Sequence, residues 1–184
     1  MFFLKRLLEL PAFPLGPVLM LLATVATASN LGMTALLDDV IDGPHRSEEN
    51  RARDQYRHPK ETLLFFGLKP EMTVVEISPG AGWYTEIIAP VLRQKGKFIA
   101  AVPALSLETP DTFKRRDAAY KNMLISDPIL YGSSSSITFD PAKPSVAPPG
   151  SADMVLTFRN VHNWAKAGTS DSMFTAFYEA LKPG

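Results

Sequence analysis

The chain of 184 residues carries 19 basic and 19 acidic side chains and no cysteine. Its formal net charge is therefore zero, and disulfides, thiolate metal sites and cysteine nucleophiles are excluded. Hydrophobic residues make up 46% and charged residues 21%, the proportions of an ordinary globular domain with appendages, and no global field marks a nucleic-acid partner.

Lys5 and Arg6 precede an uncharged stretch from Leu10 to Leu37, most apolar between Leu15 and Ala28, with Ala26-Thr27-Ala28 as a small-residue cleavage site. Residues 1–28 read as a secretory signal peptide or, because the span is long enough to cross a bilayer, as a membrane anchor. Pro11, Pro14 and Pro17 shorten the helical span and favour the signal peptide. A buried N-terminal helix is the bland alternative. The expected location is exported, periplasmic or membrane-anchored, with association to the membrane through this segment. It becomes cytoplasmic if the segment is neither leader nor anchor.

Residues 29–60 form a charged helical lead-in, with Arg46, Glu48, Glu49, Arg51, Arg53, Asp54, Arg57 and Lys60. A run of mixed sign is most simply a solvated helix face. Tyr56, Arg57 and His58 are the candidates for closing over a ligand. Pro59 and the periodic Leu63, Leu64 and Phe66 predict a short helix stopped by Gly67, the first element of an α/β domain spanning 61–184.

Thr73 to Thr85 organises that domain. Val74, Val75 and Ile77 make a β-branched run expected to be a buried strand, a Pro-Gly-Ala-Gly turn follows, and Trp83 to Leu92 has helical spacing. Strand, glycine loop and helix open a nucleotide- or nucleoside-binding α/β fold, in which Gly80 and Gly82 let a ligand approach the backbone. Thr85 stands where a dinucleotide fingerprint has its third glycine, and no Gly-Lys-Ser/Thr follows, so the NAD reading is weak and a P-loop is excluded. Pro90 is expected to kink the helix.

Lys97 to Val102 reads as a second strand. Ala101-Val102-Pro103 stands at its end, where a nucleoside-binding sheet ordinarily carries an acid for the ribose hydroxyls, and the nearest acid is Glu108. Three readings stay open: Glu108 folds back, the ribose is held otherwise, or the ligand is a different one. Asp111 to Ser126 is helix-compatible, with Lys114-Arg115-Arg116 at its surface, and Ser133 to Ser136 reads as a polar loop. Ile137 to Phe139 is a short third strand ending in Asp140, which is either a ligand contact or an Asp-Pro turn. After a proline-rich connector from Pro141 to Gly150, Asp153 to Phe158 is a fourth strand. A polar cluster from Arg159 to Trp164 leaves its carboxyl end, where doubly wound sheets hold ligands. His162 is either a general base or a structural histidine. Ser172 to Leu181 predicts an amphipathic helix before a closing Leu-Lys-Pro-Gly.

The acidic-x-x-Pro-Gly-x-Gly loop from Glu76 to Gly82 resembles motif I of the class I S-adenosylmethionine (SAM)-dependent methyltransferases, with Ser78 in place of its first glycine. Phe158-Arg159-Asn160-Val161 is similar to a stretch of the ubiquinone/menaquinone C-methyltransferases. Arg53 to Pro59 and the Trp-Tyr after the glycine loop resemble a subgroup of exported methyltransferases. The resemblance covers about Arg46 to Gly184 and implies a Rossmann-like parallel sheet in the order 3-2-1-4 with flanking helices. Strands 5–7 would follow Leu-Lys-Pro-Gly in that family, so the chain is expected to be truncated. The implied cofactor is SAM, held by Glu76, Ser78, Pro79, Gly80, Ala81, Gly82 and Asp140, with Asn160 and His162 toward a small-molecule or quinone-like acceptor. Glu76 would orient the loop or meet the cofactor's ammonium group, and Asp140 would meet adenine. His45, His58 and His162 show no metal-ligand spacing, and no metal site is expected. The alternative is a non-catalytic nucleoside-binding module of the same fold.

Overall fold

The computed structural model describes residues 31–184; the leader or anchor expected over residues 1–28 lies outside them. Four parallel strands form one sheet in the order β3-β2-β1-β4: β1 Thr73–Ile77, β2 Lys97–Pro103, β3 Ser134–Phe139 and β4 Met154–Thr157. Strand β1 lies between β2 and β4, with Val75 opposite both Ile99 and Val155. Its position follows from its sequence, since side chains alternate between faces and both faces are covered. Val74 joins a core on one face with Phe98, Ala100 and Leu156, while Val75 and Ile77 join a second core on the other with Ile99 and Ala101.

Helix α5 (Thr85–Leu92) and the helices α1 (residues 31–41) and α4 (Pro59–Phe65) close the first core through Ile87, Ile88, Leu37 and Leu63. Helix α6 (Asp111–Ser126) adds Tyr120 and the short α7 (Pro128–Tyr131) adds Tyr131 to the same core. Helix α9 (Ser170–Ala180) covers the second face with Met173, Ala176, Phe177 and Ala180. The proline-rich connector seals that core with buried Val146 and Ala147. Helix α8 (Val161–Ala167) turns the polar cluster after β4 into a helix ended by Gly168 in the left-handed region, φ 70°.

One local expectation changes. Ser134 to Ser136 are strand, not loop: β3 is an edge, their backbones pair with Phe98, Ile99 and Ala100, and Ser135 and Ser136 face solvent. Backbone pairing outweighs the weak strand preference of serine there. Helix α5 runs through Pro90. Proline has no N–H to give the carbonyl four residues back, and His45 Nε2 meets that carbonyl, Glu86 O, at 2.9 Å. The carbonyl can only accept, so Nε2 carries the proton.

The charged lead-in is partly internal. It forms α2 (Glu48–Arg51) and α3 (Asp54–Arg57), and Glu48, Glu49 and Arg53 are exposed as a solvated face requires. Arg46, by contrast, is 1% exposed. Its guanidinium donates to both carboxylate oxygens of Asp54 at 2.7 and 2.8 Å and to Ile41 O. Asn50 donates from Nδ2 to the Glu86 carboxylate and accepts at its backbone carbonyl from Trp83 Nε1. A charge network thus clamps the lead-in onto the helix that follows the glycine loop. Lys60 pairs with Asp38 at 2.7 Å and ties α4 to α1.

Candidate functional site

At the carboxyl ends of β1, β2, β3 and β4 lies a cavity of about 410 Å³, the size of a small-ligand pocket. Ser78, Pro79 and Gly80 form its floor, Val102 and Pro103 the end of β2, Phe139 the end of β3, and Asn160, Asn163 and Trp164 the wall after β4. A further wall is one face of α6, where Phe113, Arg116, Asp117 and Tyr120 stand at helical spacing, and Met173 of α9 adds to the lining.

The two loop glycines have different duties. Both hold positive φ, 68° at Gly80 and 84° at Gly82, a conformation that costs other residues strain. At Gly82 an added Cβ would come within 2.7 Å of Met123 and 3.1 Å of Tyr120, so this glycine lets α6 seat against the loop. At Gly80 an added Cβ would meet nothing within 4 Å: its backbone faces open space in the cavity. Ser78, at φ 51°, is held there by its N–H to Ala101 O at 2.8 Å.

Glu76 does not line the cavity. It points to the α5 side of the sheet, 2% exposed, and accepts from Thr85 Oγ1 at 2.6 Å. Thr85 Oγ1 lies 3.1 Å from Tyr120 OH; since its own proton goes to Glu76, the tyrosine donates. The carboxylate, through Thr85, therefore ties the end of β1 to the start of α5 and to α6. Burial raises its pKa to about 7, against which the Thr85 hydrogen bond works.

Other expected site residues scatter. Asn160 lines the cavity, but its Nδ2 donates to Ile77 O at 3.1 Å and Thr157 Oγ1 at 3.0 Å, so its amide nitrogen joins β1 to β4. His162 is exposed on α8 and does not line the cavity. Asp140 is exposed, and its Oδ1 accepts from Ala142 N at 2.9 Å; its neighbours Phe139 and Pro141 line the cavity. Ala81 is exposed on the loop. Among the described residues no group of three or more acidic or histidine side chains is placed to hold a metal ion.

Sequence reasoning passed over Asp117. It is the one carboxylate among the residues lining the cavity, its side chain 18% exposed and paired with Lys121 at 2.8 Å. Glu108, the acid nearest to β2 in sequence, is exposed and lines nothing there. The signal was present: Asp117 lies four residues after Phe113 and three before Tyr120, on the stripe that meets the sheet.

The fold, with its parallel 3-2-1-4 sheet and a glycine loop after the central strand, is the Rossmann-like fold of the class I methyltransferases. A SAM-dependent methyltransferase from Aquifex aeolicus matches 82% of this chain and 68% of its own length, with 18% identity and a TM-score of 0.54. Another SAM-dependent methyltransferase, from Geobacter sulfurreducens and in complex with S-adenosyl-L-homocysteine, covers 80% of this chain and 51% of its own, with 15% identity and a TM-score of 0.39. A protein-L-isoaspartate O-methyltransferase covers 66% of this chain and 33% of its own, with 18% identity and a TM-score of 0.40. No protein-family model and no curated protein matches the chain.

Proposed function

We propose that this chain is a SAM-dependent methyltransferase acting on a small-molecule acceptor. The observation that carries the reading is the cavity itself: an open backbone at Gly80, a carboxylate at Asp117 and apolar walls at Val102, Pro103 and Phe139, all at the strand ends. Those residues fit the cofactor. Gly80 and Ser78 would meet its methionine part at the open backbone of the loop. Phe139, Pro141 and Leu105 give an apolar seat for adenine. Asp117, projecting from α6, would accept from the two ribose hydroxyls in place of an acid at Val102. When bound, SAM supplies an electrophilic methyl group, which an acceptor nucleophile takes as the carbon–sulfur bond breaks and sulfur keeps the electron pair. The chain's own contribution is positioning: Glu76, Thr85 and Tyr120 fix the loop, and Asn160 fixes β4 beside β1.

Titration calorimetry with SAM and S-adenosylhomocysteine tests this. Saturable binding is expected, weakened about tenfold or more in Asp117→Asn, the size of a lost charged hydrogen bond. A folded protein that binds neither overturns the proposal. A non-catalytic nucleoside-binding module is the second reading, favoured by the exposure of His162 outside the cavity. Methyl transfer from labelled SAM to any acceptor decides against it. Residues 1–28 are proposed as an export leader or membrane anchor; a mature protein from cells beginning near Ser29 supports the leader.

A further inference from the structure

A second cavity, of about 420 Å³, lies between α3 and the turn that leaves β4. It is lined by three arginines and three aromatic rings: Arg53, Arg57, Arg159, Tyr56, Tyr84 and Phe158. It shares no lining residue with the cavity at Gly80, although Arg159 precedes Asn160 of that wall.

The charge here is one-sided. No carboxylate lines the cavity. Nor does any of the three arginines make an ion pair among the described residues, where Arg46 has taken Asp54 and Glu86. Arg57 is held over the Trp83 ring at 4.5 Å, a cation–π contact that fixes its guanidinium without neutralising it. Its pKa is lowered, first by desolvation and then by the positive charge of Arg53, with Arg159 adding to it. Like charges gathered on one wall cost free energy unless something of opposite sign is shared between them. Arg159 also sits at φ 63°, in the left-handed region that a residue with a Cβ enters at a cost.

The floor carries a stacked pair of aromatic rings. Tyr84 and Phe158 stack with ring centroids 3.6 Å apart and planes 13° from parallel. Tyr84 is buried at 6% exposure, whereas Tyr56 on the rim is 78% exposed. A cationic rim over an aromatic floor selects a ligand of matching halves: a planar ring to lie on the floor and an anionic group to meet the guanidiniums, which suit a carboxylate's two oxygens.

We propose that this cavity binds a planar aromatic carboxylate through Arg53, Arg57 and Arg159. Identifying that ligand as the methyl acceptor rests on the methyltransferase reading; the binding itself does not.

The test is calorimetric titration of the full chain with benzoate, alongside acetate, inorganic phosphate and benzylamine. Benzoate is expected to bind saturably, at least tenfold more tightly than acetate or phosphate, and benzylamine not at all. Added salt should weaken binding. Arg53→Gln and Arg159→Asn are each expected to weaken benzoate about tenfold. Asparagine tolerates positive φ, so the second variant removes the charge without new backbone strain. Circular dichroism and melting temperature confirm that each variant is folded. Benzoate binding no tighter than acetate or phosphate, or unchanged in both folded variants, overturns the proposal. SAM titrated into the same proteins separates the two readings: benzoate binding without SAM binding retires the methyltransferase and keeps this site. SAM binding without benzoate binding does the reverse.

Discussion

The glycine loop and the charged lead-in meet at Trp83, and they are ordered by opposite means. The loop is shaped by what its residues lack: no Cβ at Gly82 where α6 closes in, and none at Gly80 where the cavity opens. The lead-in is shaped by what its residues carry, a guanidinium at Arg46 shared with Asp54 and facing Glu86 at 3.7 Å. Backbone shape tolerates neighbouring substitutions but punishes added atoms. A buried charge tolerates added atoms poorly as well, and it punishes the loss of a partner most, because the remaining charge stays desolvated.

That contrast predicts the largest effect in the lead-in. Arg46→Ala leaves the Asp54 and Glu86 carboxylates without their cation, and a loss of about 3 kcal/mol is expected in urea unfolding. A loss below about 1 kcal/mol would show that the network is decoration on a lead-in held by Met33, Leu37 and Val40 alone.

The second effect belongs to the floor beneath the loop. Glu76 is raised to about 7 by burial, whereas in the unfolded chain it titrates near 4.5, so between those values the folded state holds the extra proton. Stability linked to this group is complete below about pH 4.5 and is lost as pH rises through about 7, by an amount on the order of 3 kcal/mol. Glu76→Gln keeps an oxygen for Thr85 and has no proton to lose. Thermal melts from pH 5 to 8 should fall for the native chain and run flatter for the variant. Parallel curves would place the titration elsewhere.

The third compares the two glycines directly. Gly82→Ala adds a methyl into Met123 and Tyr120 at positive φ, with an expected cost of about 1–3 kcal/mol. Gly80→Ala has the φ strain without the clash and should cost about 1 kcal/mol, while weakening SAM binding more than Gly82→Ala does. Equal costs in unfolding would mean that α6 yields, and that only φ distinguishes these positions from other residues.

The same contrast explains what was legible in the sequence. Strands β1, β2 and β4, the loop and the terminator Gly67 follow from local signals: β-branched runs, glycines at a strand end and helical spacing after it. The sheet order 3-2-1-4 came from the family resemblance and is the order found. Burial of Arg46 was not legible, since Glu86 lies forty residues away and charge pattern alone describes a solvated face. Ser134 to Ser136 read as loop because serine has no preference strong enough to announce an edge strand. Asp117 lies far from the end of β2 in sequence, and only the packing of α6 brings its carboxylate to the cavity. His162 stood in a suggestive cluster, but α8 turns that side chain outward, and a one-residue difference around a helix is set by packing on α9 rather than by the cluster's composition.

The smallest effect joins the two regions through a single carbonyl. Pro90 cannot supply the hydrogen bond that Glu86 O would receive inside an uninterrupted helix, and His45 from the lead-in supplies it at 2.9 Å. His45→Ala should therefore cost about 1 kcal/mol, the net value of a hydrogen bond to a part-buried carbonyl. In a Pro90→Ala background the helix has its own donor at position 90, and the same histidine substitution should cost less than half as much. A double-mutant cycle measured by urea unfolding gives the difference free of the packing lost with the proline ring, which is common to both arms. Equal costs in the two backgrounds would show that His45 acts through the Glu86 carboxylate or through packing, and that the proline and the histidine are energetically independent.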